Sequence, residues 1–596
     1  MFPVLPLLLL AYVLLSVLCA SATIFNNKTD EDFLLEFKAS LNQQSGVLSA
    51  WNTSIELCDW PGVGCSLKHK DRVTVLNLSS QGLSGTITPS IGNLTFLKIL
   101  DLSSNKLQGE IPSSVGNLRR LKNLILSNNL LQGEITTQLK NCSLLESMEL
   151  DSNLLTGEIP FWLGGLSSLK AVYLSKNNFT GIIPQSLGNL SSLEEIYFAR
   201  NQLEGTIPKG LASLNSLMYI DLGENQFSGT IPKRFYNISS LILFRVTMNK
   251  LHGMLPTDLG VHLPNLQYLR LGINHFTGSL PSSLANSTKI YSLVISINNF
   301  TGSVPPEIGK LCPNFLSFDT NQLTATTAQD WEFLTFLTNC TRLNIFDIQD
   351  NMLGGMLPSS IANLSTQLQI LYVGYNEISG KIPSGISNLA GLTQLQFSNN
   401  RFTGVLPDSI GMLNSLRVLG FDGNQLAGSL PSSPGNLTQL QRLYTDNNNF
   451  QAGSIPYSIS SCQSLIDLRL NSNSFNGSIP ASISKMKGLI ILTLYNNTLS
   501  GTIPEELGLM DGLIGLYLSH NNLSGGIPES FENMTSLDML DLSFNQLDGK
   551  VPLHGVFSSA LYCLLTSLYH FCVPENSNQT AQKFEFERHT NRGPKF

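Results

Sequence analysis

Leucines return along this chain at a fixed beat, and the beat predicts its structure. One clear stretch reads Leu97-x-x-Leu100-x-Leu102-x-x-Asn105-x-Leu107-x-Gly109-x-Ile111-Pro112. The frame recurs about every 24 residues, twenty times between Gln81 and Asn545. The two leucines of x-x-L-x-L-x-x stand two positions apart, the period that sends alternate side chains of a strand to one face. Each copy therefore predicts one short strand with leucines inward and the residue between them outward. Gly109, Gly157 and Gly181 supply backbone angles that other residues resist. Pro112, Pro160 and Pro184 remove an amide donor and fix φ, so any strand should end there. Segments such as Ser113 to Asn117 then predict a short helix or turn, and helix content should be low.

A single copy cannot bury a core, but stacked copies bury one apolar column. The asparagine closing each strand, among them Asn105, Asn225 and Asn400, can donate and accept at once. It is expected to satisfy buried backbone groups of neighbouring copies. A period of roughly 20–29 residues with this motif is that of the leucine-rich repeat. The chain is read as an α/β solenoid, a right-handed leucine-rich-repeat superhelix of about 20 coils with a concave parallel β-sheet. Four segments follow: 1–22 a signal peptide, 23–71 an N-terminal cap, 72–553 the repeats and 554–596 an atypical tail.

Composition narrows the reading. Charged residues make up 13% of 596, about half the usual share of roughly 25%. A net charge of −7 offers no footprint for a polyanion, so nucleic acid is not an expected partner. Met1 to Ala20 is apolar and ends at Ala20-Ser21-Ala22, a cleavage pattern for secretion. No later run reaches the ~20 apolar residues of a spanning helix. The nearest, Ala560 to Val573, is broken by Thr566, Ser567 and His570.

Secretion gives meaning to two other residue types. Eighteen N-x-[ST] sequons occur. Those expected to carry glycan are Asn52, Asn93, Asn141, Asn178, Asn237, Asn299, Asn363, Asn436, Asn522 and Asn533. Asn77, inside the first strand, is expected to be hindered. Of nine cysteines, Cys19 leaves with the leader. Cys58 and Cys65 flank a Gly/Pro turn and read as a disulfide, with metal binding the alternative. Cys142, Cys340 and Cys462 each precede their asparagine by eleven residues and read as inert core thiols. Cys312, two positions out of that register, is a candidate bridge to Cys340.

Thr29 to Cys65 carries a resemblance. An acidic-apolar helix, Asp32 to Lys38, is followed by Trp51-Asn52 and Cys58…Trp60-x-Gly62-Val63-x-Cys65. With L-x-G-x-I-P repeats behind it, the segment is similar to the plant-type cap of leucine-rich-repeat receptor kinases and receptor-like proteins. A longer coil, Ala325 to Cys340 with Asp330, Trp331 and Phe333, resembles the subfamily of the flagellin, elongation-factor and rice bacterial-blight immune receptors. The resemblance covers roughly residues 24–557. It implies a recognition module in plant defence, extracellular or at the plasma membrane, with a peptide or protein ligand and a co-receptor kinase ectodomain as partners. A secreted inhibitor or decoy is the alternative. After Gly555-Val556-Phe557 the pattern departs, and Cys563 and Cys572 are all that imitate the family's closing pair. A receptor truncated before its membrane and kinase parts, or a mispredicted gene end, is expected.

Enzymatic motifs are missing: no phosphate loop, no H-R-D, no D-F-G. His252, His262 and His275 occupy different registers and do not suggest a metal. No cofactor is expected. Function therefore rests on the outward strand positions, where tyrosine and arginine, the side chains enriched at binding hot spots, recur. One cluster is Tyr173, Tyr197, Arg200, Tyr219, Asp221, Glu224, Arg245, Tyr268 and Arg270. A second stretch includes Tyr372, Tyr444 and Arg469. Five coils at about 4.8 Å fit an extended peptide of about seven residues. Asp221 and Glu224 against Arg245 and Arg270 should let both charged ends of such a peptide be read.

Overall fold

The computed structural model describes residues 29–42, 46–69, 71–451, 453–552 and 554–558. The leader with Cys19, and the tail with Cys563 and Cys572, lie outside the described residues. The chain falls into two compact units, dividing between Thr403 and Gly404.

The first unit opens with the helix Asp30–Ala39, capped by reciprocal bonds between Thr29 and Asp32. Its face buries Leu34 and Phe37 completely. Cys58 and Cys65 are disulfide-bonded, and Trp51 and Trp60 stack on each other with ring centres 5.3 Å apart. Strand Val63–Cys65 pairs antiparallel with Val73–Asn77. The Asp30 carboxylate accepts the Val73 N–H at 2.7 Å, which ties the cap to the first coil.

From Val73–Asn77 onward each coil adds one parallel strand. Val75 faces Ile99, Leu76 faces Leu100 and Asn77 faces Asp101. The register repeats without slip to Tyr372 beside Gln396. The inward leucines, such as Leu100, Leu124 and Leu174, are fully buried. In most coils, twelve residues past the strand's end, the chain turns through a one-turn 3-10 helix, as at Ser113–Asn117 and Thr137–Asn141. These turns bury Val115 and Leu139 in the same column.

The asparagines stitch coil to coil. Asn105 donates Nδ2–H to Leu78 O of the preceding coil and to Leu102 O of its own, at 2.8 and 3.0 Å. Its Oδ1 accepts the Leu83 N–H at 2.9 Å. The arrangement recurs at Asn225 and Asn400. A turn with positive φ precedes each: Ser104 at 55°, Glu224 at 57°. Gly109 has φ 81°, as its position requires.

Two expectations need correction. Most coils carry a second strand, though the coil of Ala171–Tyr173 does not. Lys106–Gly109 pairs with Leu130–Gly133, and a seven-stranded side sheet joins the coils from Glu204–Thr206 to Met352–Leu353. The proline stands three residues beyond the glycine, so the N–H groups of L-x-G remain able to pair. Cys340 is no free thiol either: it is disulfide-bonded to Cys312. The longer coil forms a helix, Glu332–Leu337, and Cys312, the left-handed residue (φ 47°) that ends the 3-10 helix Pro306–Leu311, meets Cys340 with Cα atoms 4.8 Å apart. Cys142 and Cys462 stay free and buried.

In the second unit the same coil continues through Val418–Gly420, Arg442–Tyr444, Asp467–Arg469, Ile491–Thr493, Gly515–Tyr517 and Met539–Asp541. No helix among the described residues is long and apolar enough to cross a membrane.

Candidate functional site

Strand register aligns the outward positions of the first unit in one row. Glu149 lies beside Tyr173, Tyr173 beside Tyr197, Tyr197 beside Asp221, Asp221 beside Arg245 and Arg245 beside Arg270. Tyr219 and Tyr268 sit one row over, two residues earlier in their strands, where Tyr219 pairs with Leu243 and Leu243 with Tyr268.

The row is half-buried, and its members partner one another. The Tyr173 and Tyr197 rings stack at 5.0 Å with 6° between planes. The Tyr173 hydroxyl donates to Glu195, two residues before Tyr197. Burial, reinforced by Glu195, raises the Tyr173 hydroxyl above its ordinary pKa. Burial pushes Tyr197 up to about 12. Burial likewise raises the carboxyl of Glu149, with the charges of Asp151, Asp101 and Glu195 adding to it.

Four charges come next. Arg245 Nη1 is 3.1 Å from Asp221 Oδ2, and Nη2 is 2.7 Å from Glu224 Oε1. Arg200 Nε holds the other Glu224 oxygen at 2.7 Å. Two arginines and two carboxylates thus neutralise each other. The expectation that Asp221, Glu224 and Arg245 stand free to read charged ligand ends does not fit this geometry. Gly223 makes it possible: a Cβ there would lie 3.1 Å from Arg245 Nε. Arg270 has no ion pair among the described residues and packs its guanidinium carbon 5.6 Å from the Tyr268 ring centre.

The second stretch divides. Tyr372 belongs to the first unit and donates its hydroxyl to Gln394. In the second unit Asp467 accepts from Tyr444 at 3.1 Å and from Arg469 at 3.1 and 3.0 Å. Arg469 also lies 5.0 Å from the Tyr444 ring centre. Reading only the central positions missed Glu195 and Gln394. The spacing shows them: each lies 22 residues after the tyrosine it meets, the diagonal neighbour in the next strand. It also missed Asp446, whose carboxyl is pushed up to about 7 by burial and by Asp422.

Among the sequons, Asn93, Asn141, Asn178, Asn237, Asn299, Asn363, Asn436, Asn522 and Asn533 have exposed side chains, and Asn52 is half-exposed. Asn77 is exposed too, although its backbone is inside the strand. Among the described residues no three metal-ligating side chains converge.

The repeat, its asparagine stitching and its helical cap define a class: the chain belongs to the leucine-rich repeat proteins. Models of the leucine rich repeat match residues 143–203, 366–426 and 502–547. The leucine rich repeat N-terminal domain matches residues 27–66. Within that class the chain is homologous to plant leucine-rich-repeat receptor kinases over their ectodomain. It is 44% identical over 89 residues to the receptor-like serine/threonine-protein kinase EFR of Arabidopsis thaliana. It is 49% identical over 75 residues to the receptor kinase-like protein Xa21 of Oryza sativa subsp. japonica. These matches cover 15% and 12% of this chain but only 8% and 7% of those relatives.

Solved ectodomains match far more. The Arabidopsis thaliana GASSHO1/SCHENGEN3 ectodomain, in complex with CASPARIAN STRIP INTEGRITY FACTOR 2, shares 35% identity with a TM-score of 0.81, over 88% of this chain and 62% of that one. PEPR1 with AtPEP1 shares 32% at a TM-score of 0.73, over 88% and 79%. Arabidopsis HAESA, with the peptide hormone IDA and the co-receptor SERK1, shares 30% at 0.72, over 89% and 96%.

Proposed function

We propose that this chain is a non-catalytic extracellular recognition module, the ectodomain of a plant peptide or microbial-pattern receptor acting in defence. It reaches the secretory pathway by the leader 1–22 and works in the apoplast or at the plasma membrane. The observation that carries the reading is the continuous row Tyr173, Tyr197, Asp221, Arg245, Arg270, held in one strand register on a scaffold whose solved relatives are peptide-bound ectodomains. Stacked tyrosines give a stiff apolar edge with little entropy left to lose on binding. An extended peptide lying along the row would meet one new side chain per coil. A co-receptor ectodomain is the expected second partner, as SERK1 is for HAESA.

The test uses the whole secreted chain, immobilised and exposed to peptides from a plant apoplastic wash. A retained peptide, identified by mass spectrometry and resynthesised, should bind by calorimetry. Tyr173→Ala with Tyr197→Ala should weaken it at least tenfold at unchanged secretion. If no peptide is retained, or the double variant binds it equally, the reading is wrong.

A further inference from the structure

Arg270 differs from the other two arginines of its stretch. Arg200 and Arg245 are occupied by Glu224 and Asp221. Arg270 Nε is buried with no hydrogen-bond partner. A guanidinium carries five donors in a rigid fork and is always charged. The residue directly beside it in the next strand, Val294, offers no acceptor side chain, and on the other side lies another cation, Arg245. Ser292, in that next strand beside Tyr268, is 1% exposed, and its hydroxyl is also without a partner. Two buried polar groups in adjacent strands thus have no partner among the described residues, and a cation is one of them.

A second, independent oddity occupies the same coils. The residue before each coil's asparagine takes the left-handed backbone, and elsewhere in this unit it is mostly Ser, Asn, Lys, Arg, Glu, Thr or Asp. In three successive coils it is Met248, Ile273 and Ile297, with φ of 59°, 57° and 53°. A β-branched residue at positive φ is sterically disfavoured, so packing of the fold alone does not call for isoleucine there. Met248 is 47% exposed and the two isoleucines are half-exposed. Met248, Ile273 and Ile297 follow one another at this register in successive coils, three residues past Arg245, Arg270 and Val294.

We propose that these coils form a subsite for a carboxylate next to an apolar side chain: the carboxylate on the Arg270 guanidinium, the apolar group on Met248, Ile273 and Ile297. The inference rests on the peptide-binding reading and names the ligand class. A carboxylate matches the planar fork with two parallel bonds. A long polyanion does not suit the place, because the nearby arginines Arg200 and Arg245 are already neutralised by Asp221 and Glu224. The carboxylate can come from an Asp or Glu side chain or from a peptide's C-terminus.

Two random dodecapeptide phage libraries distinguish these sources, one displayed with a free C-terminus and one with the C-terminus fused to the coat protein. Both are panned on the full-length secreted chain and on its Arg270→Gln variant. The expected result is enrichment of an acidic group adjacent to Leu, Ile, Met or Phe on the parent, with the acid preference reduced at least tenfold on Arg270→Gln. Enrichment confined to the free-ended library assigns the C-terminus; enrichment in both assigns a side chain. Met248→Ser provides a second reading, expected to lower the apolar preference and keep the acidic one. Binders that lack an acid, or that survive Arg270→Gln unchanged, remove the subsite and leave peptide binding standing. No binder on the parent overturns both.

Discussion

Arg245 reaches back across one strand to Asp221, with Nη1 3.1 Å from Oδ2. The carboxylate is nearly closed to solvent, at 12% side-chain exposure, and the guanidinium is at 24%. An ion pair this sheltered is screened less than a surface pair. Its role is to hold the floor of the row in one geometry, so its loss should register first in stability.

Arg245→Ala should lower the unfolding free energy by about 1–3 kcal/mol, because it leaves a shielded carboxylate without its charge partner. Adding Asp221→Asn should recover part of that loss. Urea unfolding of the parent, the single and the double variant measures it. A single variant as stable as the parent would show that the pair contributes nothing.

Asn400→Leu removes three donated bonds, to Val373, Phe397 and Ser398, and the acceptor for Ile378 N–H. The expected cost is about 1–3 kcal/mol, through buried backbone groups left unpaired. Amide exchange at Ile378 should rise more than exchange at coils several steps away.

Cys312 and Cys340 enclose 28 residues of sequence. Loop-closure entropy gives such a bridge about 3–4 kcal/mol. Non-reduced peptide mapping should recover this pair with Cys58–Cys65. Cys312→Ser with Cys340→Ser should loosen the coil around Trp331, seen as faster exchange there.

The Asp446 carboxyl, pushed up to about 7 by burial and then by Asp422, gives the second unit a pH dependence. Arg469 and Asn447 oppose the rise without cancelling it. The folded carboxyl keeps its proton to higher pH than an unfolded one, ordinarily near 3.8. The stabilisation is therefore complete below that value and lost as pH rises through about 7. The melting temperature of the second unit's transition should be higher at pH 5 than at pH 8, and Asp446→Asn should flatten the slope. A slope unchanged in the variant would place its origin elsewhere.

Legibility followed the energetics. The strands, the asparagine bonds and the glycine turns are dictated by residues that every coil repeats, so Leu100, Asn105 and Gly109 announce themselves. The side sheet was hidden because Lys106–Gly109 has no strand-like pattern; neighbouring coils impose its pairing. Cys340 shared a register with Cys142 and Cys462, and only the helix in its own coil brings Cys312 near. At the candidate site the row itself could be read from the period. Which charges cancel could not, because Arg245 chooses between Asp221 and open water according to its rotamer and to the space above Gly223.

The asparagine stitching also gives the stack a grain. Each amide oxygen serves an N–H of the coil before it, as Asn105 serves Leu83 and Asn225 serves Leu203. Peeling a coil from the C-terminal side of a unit therefore strips an acceptor from the coil newly exposed, while peeling from the other side leaves each asparagine its bonds to its own turn. Under mechanical load the two directions are not equivalent. Each coil set loose adds about 80 Å of slack, roughly 24 residues at full extension less one strand spacing. Within a unit the molecule behaves as a ratcheted tether that pays out in even lengths, more readily from one end than from the other.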